Sequence, residues 1–315
     1  MKKTLSIVVL LCGMLSASAQ HPIYPFFDDK GAVRIETTEL NDASDTLISL
    51  FHRADDIVWS RVVYRVIDLR YKQNYQMYFP VNSDDPQYRS LFKVIIDAIA
   101  DGLEVYPKYA DNIKPFFDVP LGKEEIPGML MIDDITADYS DDSTHYDISS
   151  SSAMLLHYNK AKDKLEFNFF PYENFAKNQY KYLIQEIIFF DRHTSRLYSK
   201  IIAIAPMQAD KITNPEPEPE EIMDALMQSI LFWIPFDNLR PYLARQYMIP
   251  RVNDNARMTF DEFFMKRLYA SYLLGDSNMY NRMFLHYAFT EKEIKKEQQR
   301  VFDELLNFEQ DLWEY

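Results

Sequence analysis

The segment from Gln185 to Met207 leaves this chain little choice of structure. Gln185 to Phe190 is a compact apolar run, Asp191 to Ser195 supplies turn residues, and Leu197 to Met207 alternates. Leu197, Ser199, Ile201, Ala203 and Ala205 fall on one face of that second run, and Tyr198, Lys200, Ile202 and Ile204 on the other. An apolar run and an alternating run on either side of a polar turn predict a β-hairpin. Both faces of the second strand become apolar toward its end, so it needs cover on two sides.

Helical patterns elsewhere can provide that cover. Val58, Val62, Val66 and Leu69, spaced by three and four behind Asp55 or Asp56, predict a helix whose other face carries Arg61, Arg65 and Arg70. A Ser90 cap, the residues Leu91, Val94, Ile95, Ala98 and Ile99, and a terminating Gly102 predict a second, followed by extended chain from Leu103 to Tyr106. Met154 to Phe170 reads as two strands about Asn159 to Lys164, and Ile230 to Ile234 as another strand. Asp237 is placed to cap a helix containing Leu239 to Tyr247. Thr259-Phe260-Asp261-Glu262 is a capping box for a helix running through Phe263, Phe264, Arg267, Leu268 and Tyr272 to Gly275. A second box, Thr290 to Glu293, opens the last helix, whose Val301, Leu305, Phe308 and Leu312 form a stripe that must be buried against this chain or another. The expected fold class is α+β, a mixed or antiparallel sheet built on the central hairpin with helices at both ends.

Residues 1–19 read as a cleaved signal peptide: Lys2 and Lys3, an apolar core from Leu5 to Leu15, and Ala17-Ser18-Ala19 before Gln20. An N-terminal subdomain is expected over 20–213, with an acidic loop near 133–152 where six aspartates precede Ser149 to Ser152. Asn214-Pro215-Glu216-Pro217-Glu218-Pro219-Glu220-Glu221 reads as a stiff acidic linker, and 222–315 as a C-terminal α+β subdomain ending in a long helix.

Several functional classes are disfavoured. The single cysteine, Cys12, lies in the signal core behind Val9-Leu10-Leu11, without the small residues of a lipoprotein signal, so a mature chain starting at Gln20 has no thiol for disulfides, nucleophilic attack or metal–thiolate sites. A net charge of −14, more negative still without Lys2 and Lys3, repels nucleic acid and anionic lipid. No later segment is apolar for long enough to insert in a membrane. Gly31, Gly102, Gly122, Gly128 and Gly275 form no phosphate-cradling pattern, and the histidines make no metal-binding pair. Asp191, His193 and Ser195 hold the residue types of a catalytic triad, but within one hairpin turn they read as turn chemistry. The aspartates from Asp133 to Asp147 suit weak calcium binding at most, lacking the glycine and closing glutamate of an EF-hand. No catalytic, cofactor or metal residues are assigned.

Trp59 and Trp233 each lie near arginines, a pairing enriched at interface hot spots, though both tryptophans also fit a core. A wider pattern surrounds them. Ala54-Asp55-Asp56-Ile57-Val58-Trp59-Ser60-Arg61, Arg65-Val66-Ile67-Asp68-Leu69-Arg70, Tyr78-Phe79-Pro80, Asp97-Ala98-Ile99-Ala100-Asp101-Gly102, Ile204-Ala205-Pro206, Leu231-Phe232-Trp233-Ile234 with Arg240, Thr259 to Phe264 with Arg267, and the ending Asn307 to Tyr315 follow one another in order. Over residues 47–106 and 180–315 the chain resembles the GldN/PorN family of the type IX secretion and gliding motility machinery. The resemblance implies a non-enzymatic periplasmic protein attached to the outer membrane through a lipoprotein partner (GldK/PorK), self-associated with it in a ring, and contacting inner-membrane-anchored GldM/PorM. The candidate partner contacts are Trp59, Arg61, Arg65, Arg70, Trp233, Arg240, Arg267, Phe308, Leu312 and Trp313. Rival readings are a secreted adhesin or glycan-binding module, which needs aromatics lining a groove, and a hydrolase, which needs converging acids.

Overall fold

The structure, a computed structural model, describes residues 52–81, 88–109, 113–130, 155–167, 179–208, 219–249, 258–278, 282–288 and 290–313. The signal segment, the acidic loop expected at 133–152 and the linker residues 214–218 lie outside them. Seven strands are described: β1 (Ile57–Asp68), β2 (Leu156–Asn159), β3 (Lys164–Phe167), β4 (Lys181–Asp191), β5 (Arg196–Met207), β6 (Ile234–Pro235) and β7 (Ser271–Asp276). The longer helices are α1 (Leu91–Ala100), α2 (Pro219–Ser229), α3 (Phe236–Ala244), α4 (Phe260–Met265) and α5 (Glu291–Trp313). The fold is α+β. A five-stranded antiparallel sheet runs in the order β6-β5-β4-β1-β7, and β2 and β3 form a separate hairpin.

The central hairpin forms as expected: β4 pairs with β5 from Lys181 opposite Met207 to Asp191 opposite Arg196. Ile201 to Met207 are all buried, because both faces are covered. On one face Tyr64, Val66, Leu183, Ile187, Ala203 and Ala205 pack against Met223, Leu226 and Met227 of α2, with Ile230, Trp233 and Met283. On the other, Ile67, Tyr182, Ile184 and Ile204 pack against Leu91, Ile95 and Ile99 of α1, Leu239 and Leu243 of α3, and Phe260 and Phe264 of α4. Each fully buried aliphatic side chain here contributes about 1.5–3 kcal/mol relative to exposure. Val63 and Leu273, on that second face but nearer the β7 edge, are covered instead by Val301 of α5 and by Phe284.

Residues 57–68 are a strand, not the helix their spacing suggested. Positions four apart share a face in a strand as well as in a helix, so Val58, Val62 and Val66 do not distinguish the two. The β-branched run Ile57, Val58, Val62, Val63, Val66 and Ile67 favours the pleated alternative, and β4 and β7 supply partners on both edges. Asp55 and Asp56 belong to a short 3₁₀ turn ahead of it.

α1 is bounded as its sequence requires. Ser90 Oγ accepts from the Lys93 N–H at 3.3 Å. At the other end the Leu103 N–H donates to the Ala98 carbonyl and Gly102 N–H to that of Ile99 (2.9 and 3.0 Å). That double bond pattern needs a left-handed residue, and Gly102 has φ 108°.

Three boundaries differ from expectation. α4 starts at its Thr259 cap but ends at Met265; Arg267 turns left-handed (φ 52°), and Ser271–Asp276 extend as β7 rather than continuing the helix to Gly275. The Asn74 side chain fixes that turn, bonding the Ala270 carbonyl and N–H, each at 2.8 Å. α3 starts at Phe236 and ends at Ala244, with Asp237 inside its first turn bonded to Lys200 rather than capping it. Of Ile230 to Ile234, only Ile234 joins the ladder as β6; Ile230 and Trp233 make isolated bridges to Met207 and Tyr106.

Pro219, Glu220 and Glu221, read as linker, form the first turn of α2, where a proline's missing N–H has no helical partner to lose. β6 and β7 come after that segment and still complete the sheet begun by β1, so the boundary expected there does not divide the sheet.

Candidate functional site

The last helix builds the site. Thr290 and Glu293 cap it reciprocally, Thr290 Oγ1 accepting from the Glu293 N–H (3.3 Å) and Glu293 Oε2 from the Thr290 N–H (3.0 Å). Its apolar stripe is used within the chain as far as its side chains are described. Val301 is buried beside Val63, Leu273 and Phe284, with Leu305 against them. Phe308 stacks on Trp59 with ring centroids 4.6 Å apart and meets Phe190 edge-on at 6.1 Å. Gln298 Nε2 donates to the Leu273 carbonyl at 2.6 Å.

Because β1 is a strand, Trp59, Arg61, Val63 and Arg65 point to one face, the face α5 crosses. Arg61 bridges Asp276 at the end of β7 and Glu304 of α5, the latter at 2.8 Å. Burial works against its charge, but hydrogen bonds and attraction to Glu304 and Asp276 win, and its pKa is raised. Burial likewise pushes the Glu304 carboxyl up, and bonds from Arg61 and Arg300 overcome it, so Glu304 sits below the usual range.

One turn of pleat further on, Arg65 Nε donates to Glu186 Oε2 at 2.9 Å. Glu186 is fully buried in the middle of β4, and Arg267, just past α4, pairs with its other oxygen. The Arg65 guanidinium lies 5.6 Å from the centroid of the Phe302 ring. The Tyr269 hydroxyl is buried nearby with no hydrogen-bond partner among the described residues; burial first, and the Glu186 charge second, push its pKa up. This Arg65–Glu186–Arg267 cluster occupies the seam between the helices covering Ile67 and Ile184 and the part of the sheet covered by α5. Phe302 is 49% exposed and Leu306, one turn along α5, 53%.

Five sequence-predicted residues, Trp59, Arg61, Arg65, Arg267 and Phe308, are thus gathered on one strip. Arg70 is not among them: it sits beyond the far end of β1, bonded to Asp68 at 2.9 Å and lying over Tyr180. Trp233, 1% exposed, and Arg240, 4%, are core residues rather than partner contacts. Trp233 exchanges backbone bonds with Tyr106, and Arg240 donates to both oxygens of Asp261 at 2.7 and 3.1 Å. Leu312 and Trp313 belong to α5, but their side chains lie outside the described residues. Sequence reasoning missed Glu186, Asp276, Phe302 and Leu306. Glu186 alone carried a signal, as the one acid in the apolar run of β4.

The Asp191–Ser195 cluster serves the turn and the core. Asp191 accepts from the His193 N–H (2.8 Å) and pairs with His52 Nδ1 (2.7 Å). Burial opposes the Asp191 charge, yet His52 and the His193 and Thr194 N–H groups hold its carboxyl below the usual range. Among the described residues, no cluster of His, Cys, Asp or Glu is placed to hold a metal, and no helix is long and apolar enough to cross a membrane.

The described residues thus combine a doubly covered sheet, arginines tied to carboxylates across elements, and apolar residues exposed on the last helix. The family model described as "Gliding motility associated protein GldN" matches residues 52–314, and the chain belongs to that family, whose members are structural components of gliding motility and type IX secretion. A comparison with curated proteins finds no match.

Proposed function

We propose that this chain is a periplasmic scaffold subunit that joins an outer-membrane lipoprotein of the GldK/PorK type in a ring and contacts GldM/PorM, using the strip along α5 as one of its interfaces. The exposed Phe302 and Leu306 beside an arginine cluster carry the reading, since aromatic and arginine anchors dominate interface energies. Family membership supports the machinery, and the basic, apolar, small-residue leader of 1–19 supports export.

Co-purification of the tagged exported chain with that lipoprotein tests it. Wild type is expected to bring the lipoprotein down in stable complex, and Leu306→Asp, at an exposed site, to lose most of it while its melting temperature stays unchanged. A wild-type chain that elutes alone would overturn the scaffold reading; retention of the complex by Leu306→Asp would remove α5 from the interface.

A further inference from the structure

We infer that the strip carrying Arg267, Phe302 and Leu306 is a docking site for an acidic, apolar segment of a partner protein, one that places an Asp or Glu beside a leucine or aromatic residue. Two guanidinium groups, Arg65 and Arg267, share the single carboxylate of Glu186, which leaves one positive charge over at this point of a chain whose net charge is −14. Arg267 is partly exposed, so a further carboxylate can reach it from solvent. A planar guanidinium with one side already bonded offers its remaining N–H groups in a fixed fork suited to a second carboxylate.

The backbone places that arginine deliberately. Arg267 holds φ 52°, a left-handed conformation costing a residue with a Cβ on the order of 1 kcal/mol that a glycine would avoid. What an arginine contributes at this turn is its side chain, reaching Glu186.

The apolar half of the strip is Phe302, held against Arg65, and Leu306, on the same side of α5 one turn later. Leu268, next to Arg267, is exposed on the α4 side. At the other end of the strip the balance reverses, with Asp276 and Glu304 on Arg61, and Glu297 and Glu304 on Arg300, three carboxylates to two guanidinium groups. An incoming segment therefore has its carboxylate directed to the α4 end. The site is the strip proposed above as an interface and rests on that reading; what it adds is the chemistry of the segment that docks there.

The test is panning of a displayed random 12-residue peptide library on the exported full chain, followed by anisotropy titration of a synthetic enriched peptide. Enriched sequences are expected to carry Asp or Glu within two positions of Leu, Ile, Phe or Trp. The peptide should bind Arg267→Gln at least tenfold more weakly, Arg267→Lys at a level between Arg267→Gln and wild type because the charge is kept and the fork lost, and wild type more weakly in high salt. Leu306→Asp, which leaves the cluster intact, should weaken it comparably and guards against misfolding of the Arg267 variant. Enrichment without acids, no enrichment, or wild-type affinity for the peptide in Arg267→Gln or in Leu306→Asp would overturn the proposal. So would concentration-dependent self-association abolished by Arg267→Gln, which would make a second copy the occupant. A lipoprotein that fails to co-purify while the peptide binds would sink the scaffold reading alone.

Discussion

Substituting Asp261 by asparagine isolates what Arg240 does. The two side chains come from α4 and α3, are almost wholly enclosed, and meet through two bonds of 2.7 and 3.1 Å. Asparagine keeps the shape and one acceptor but removes this carboxylate's charge from beside the buried guanidinium. Removing one partner of a buried pair costs about 3–5 kcal/mol, and the retained acceptor puts this variant near 3. Lys200 lies close by; burial foremost lowers its pKa, and the Arg240 charge adds to that against the help of Asp237. Against a total stability on the order of 5–15 kcal/mol the chain stays folded at room temperature. In a chain of this size the loss corresponds to a fall of about 4–5 °C in Tm. Urea denaturation followed by circular dichroism at neutral pH gives the number directly. The double variant Arg240→Leu, Asp261→Leu should cost less than either single change, because an ion pair exchanged whole for apolar groups roughly breaks even. A loss under about 1 kcal/mol for Asp261→Asn, with partner binding reduced instead, would refute the assignment of Arg240 to the core.

Gly275→Ala should destabilise by about 1–3 kcal/mol, since its Cβ would strike the Met283 sulfur and come within 3.1 Å of the Met283 Cα; Met283→Ala should return only part of the loss in the same denaturation series. Phe308→Ala removes the ring stacked on Trp59 and should cost about 1–3 kcal/mol, read by hydrogen exchange as faster amide loss over 303–310 with β1 protection unchanged. Acid should weaken the fold. Asp68, Asp191 and Glu304 have folded pKa values below their unfolded ones, so the unfolded chain binds more protons through that window and stability rises with pH across it. The urea midpoint is expected to be level above about pH 5 and to fall as the pH drops below about 4, less steeply in Asp191→Asn; a midpoint independent of pH would contradict these pairings.

Local elements were legible wherever several short-range signals agreed. Ser90 and Gly102 bracket α1, Thr259 and Thr290 start α4 and α5, and the turn at Asp191 to Ser195 joins two alternating strands. β1 was misread because a spacing of four is shared by helix and strand, and the deciding partners, β4 and β7, lie far along the chain. Tyr272 to Gly275 was misread for the same reason: edge pairing with β1 overrides a helical apolar pattern. The arginines were visible as charges, but the acids opposite them were not. Glu186 is 121 positions from Arg65 and Asp276 is 215 from Arg61, so sequence alone could not tell a salt bridge inside the chain from a contact outside it. Trp233 shows the converse, an aromatic suited to either setting that the fold places in the core.

The position of β1 in the sheet has a consequence for how the molecule is made. β1 is the first strand to leave a ribosome or an export channel, yet its partners are β4 and β7, and its last edge contact, Ser277 N–H to the Val62 carbonyl, waits for nearly the whole chain. Pairings this remote in sequence form slowly, and until they form β1 offers an open row of backbone donors and acceptors to any neighbouring strand. α5, which seals the outer end of β1, comes last of all. Synthesis of this protein therefore has a long interval in which its centre is its most adhesive part, and a holding chaperone has most to protect there until the final helix arrives.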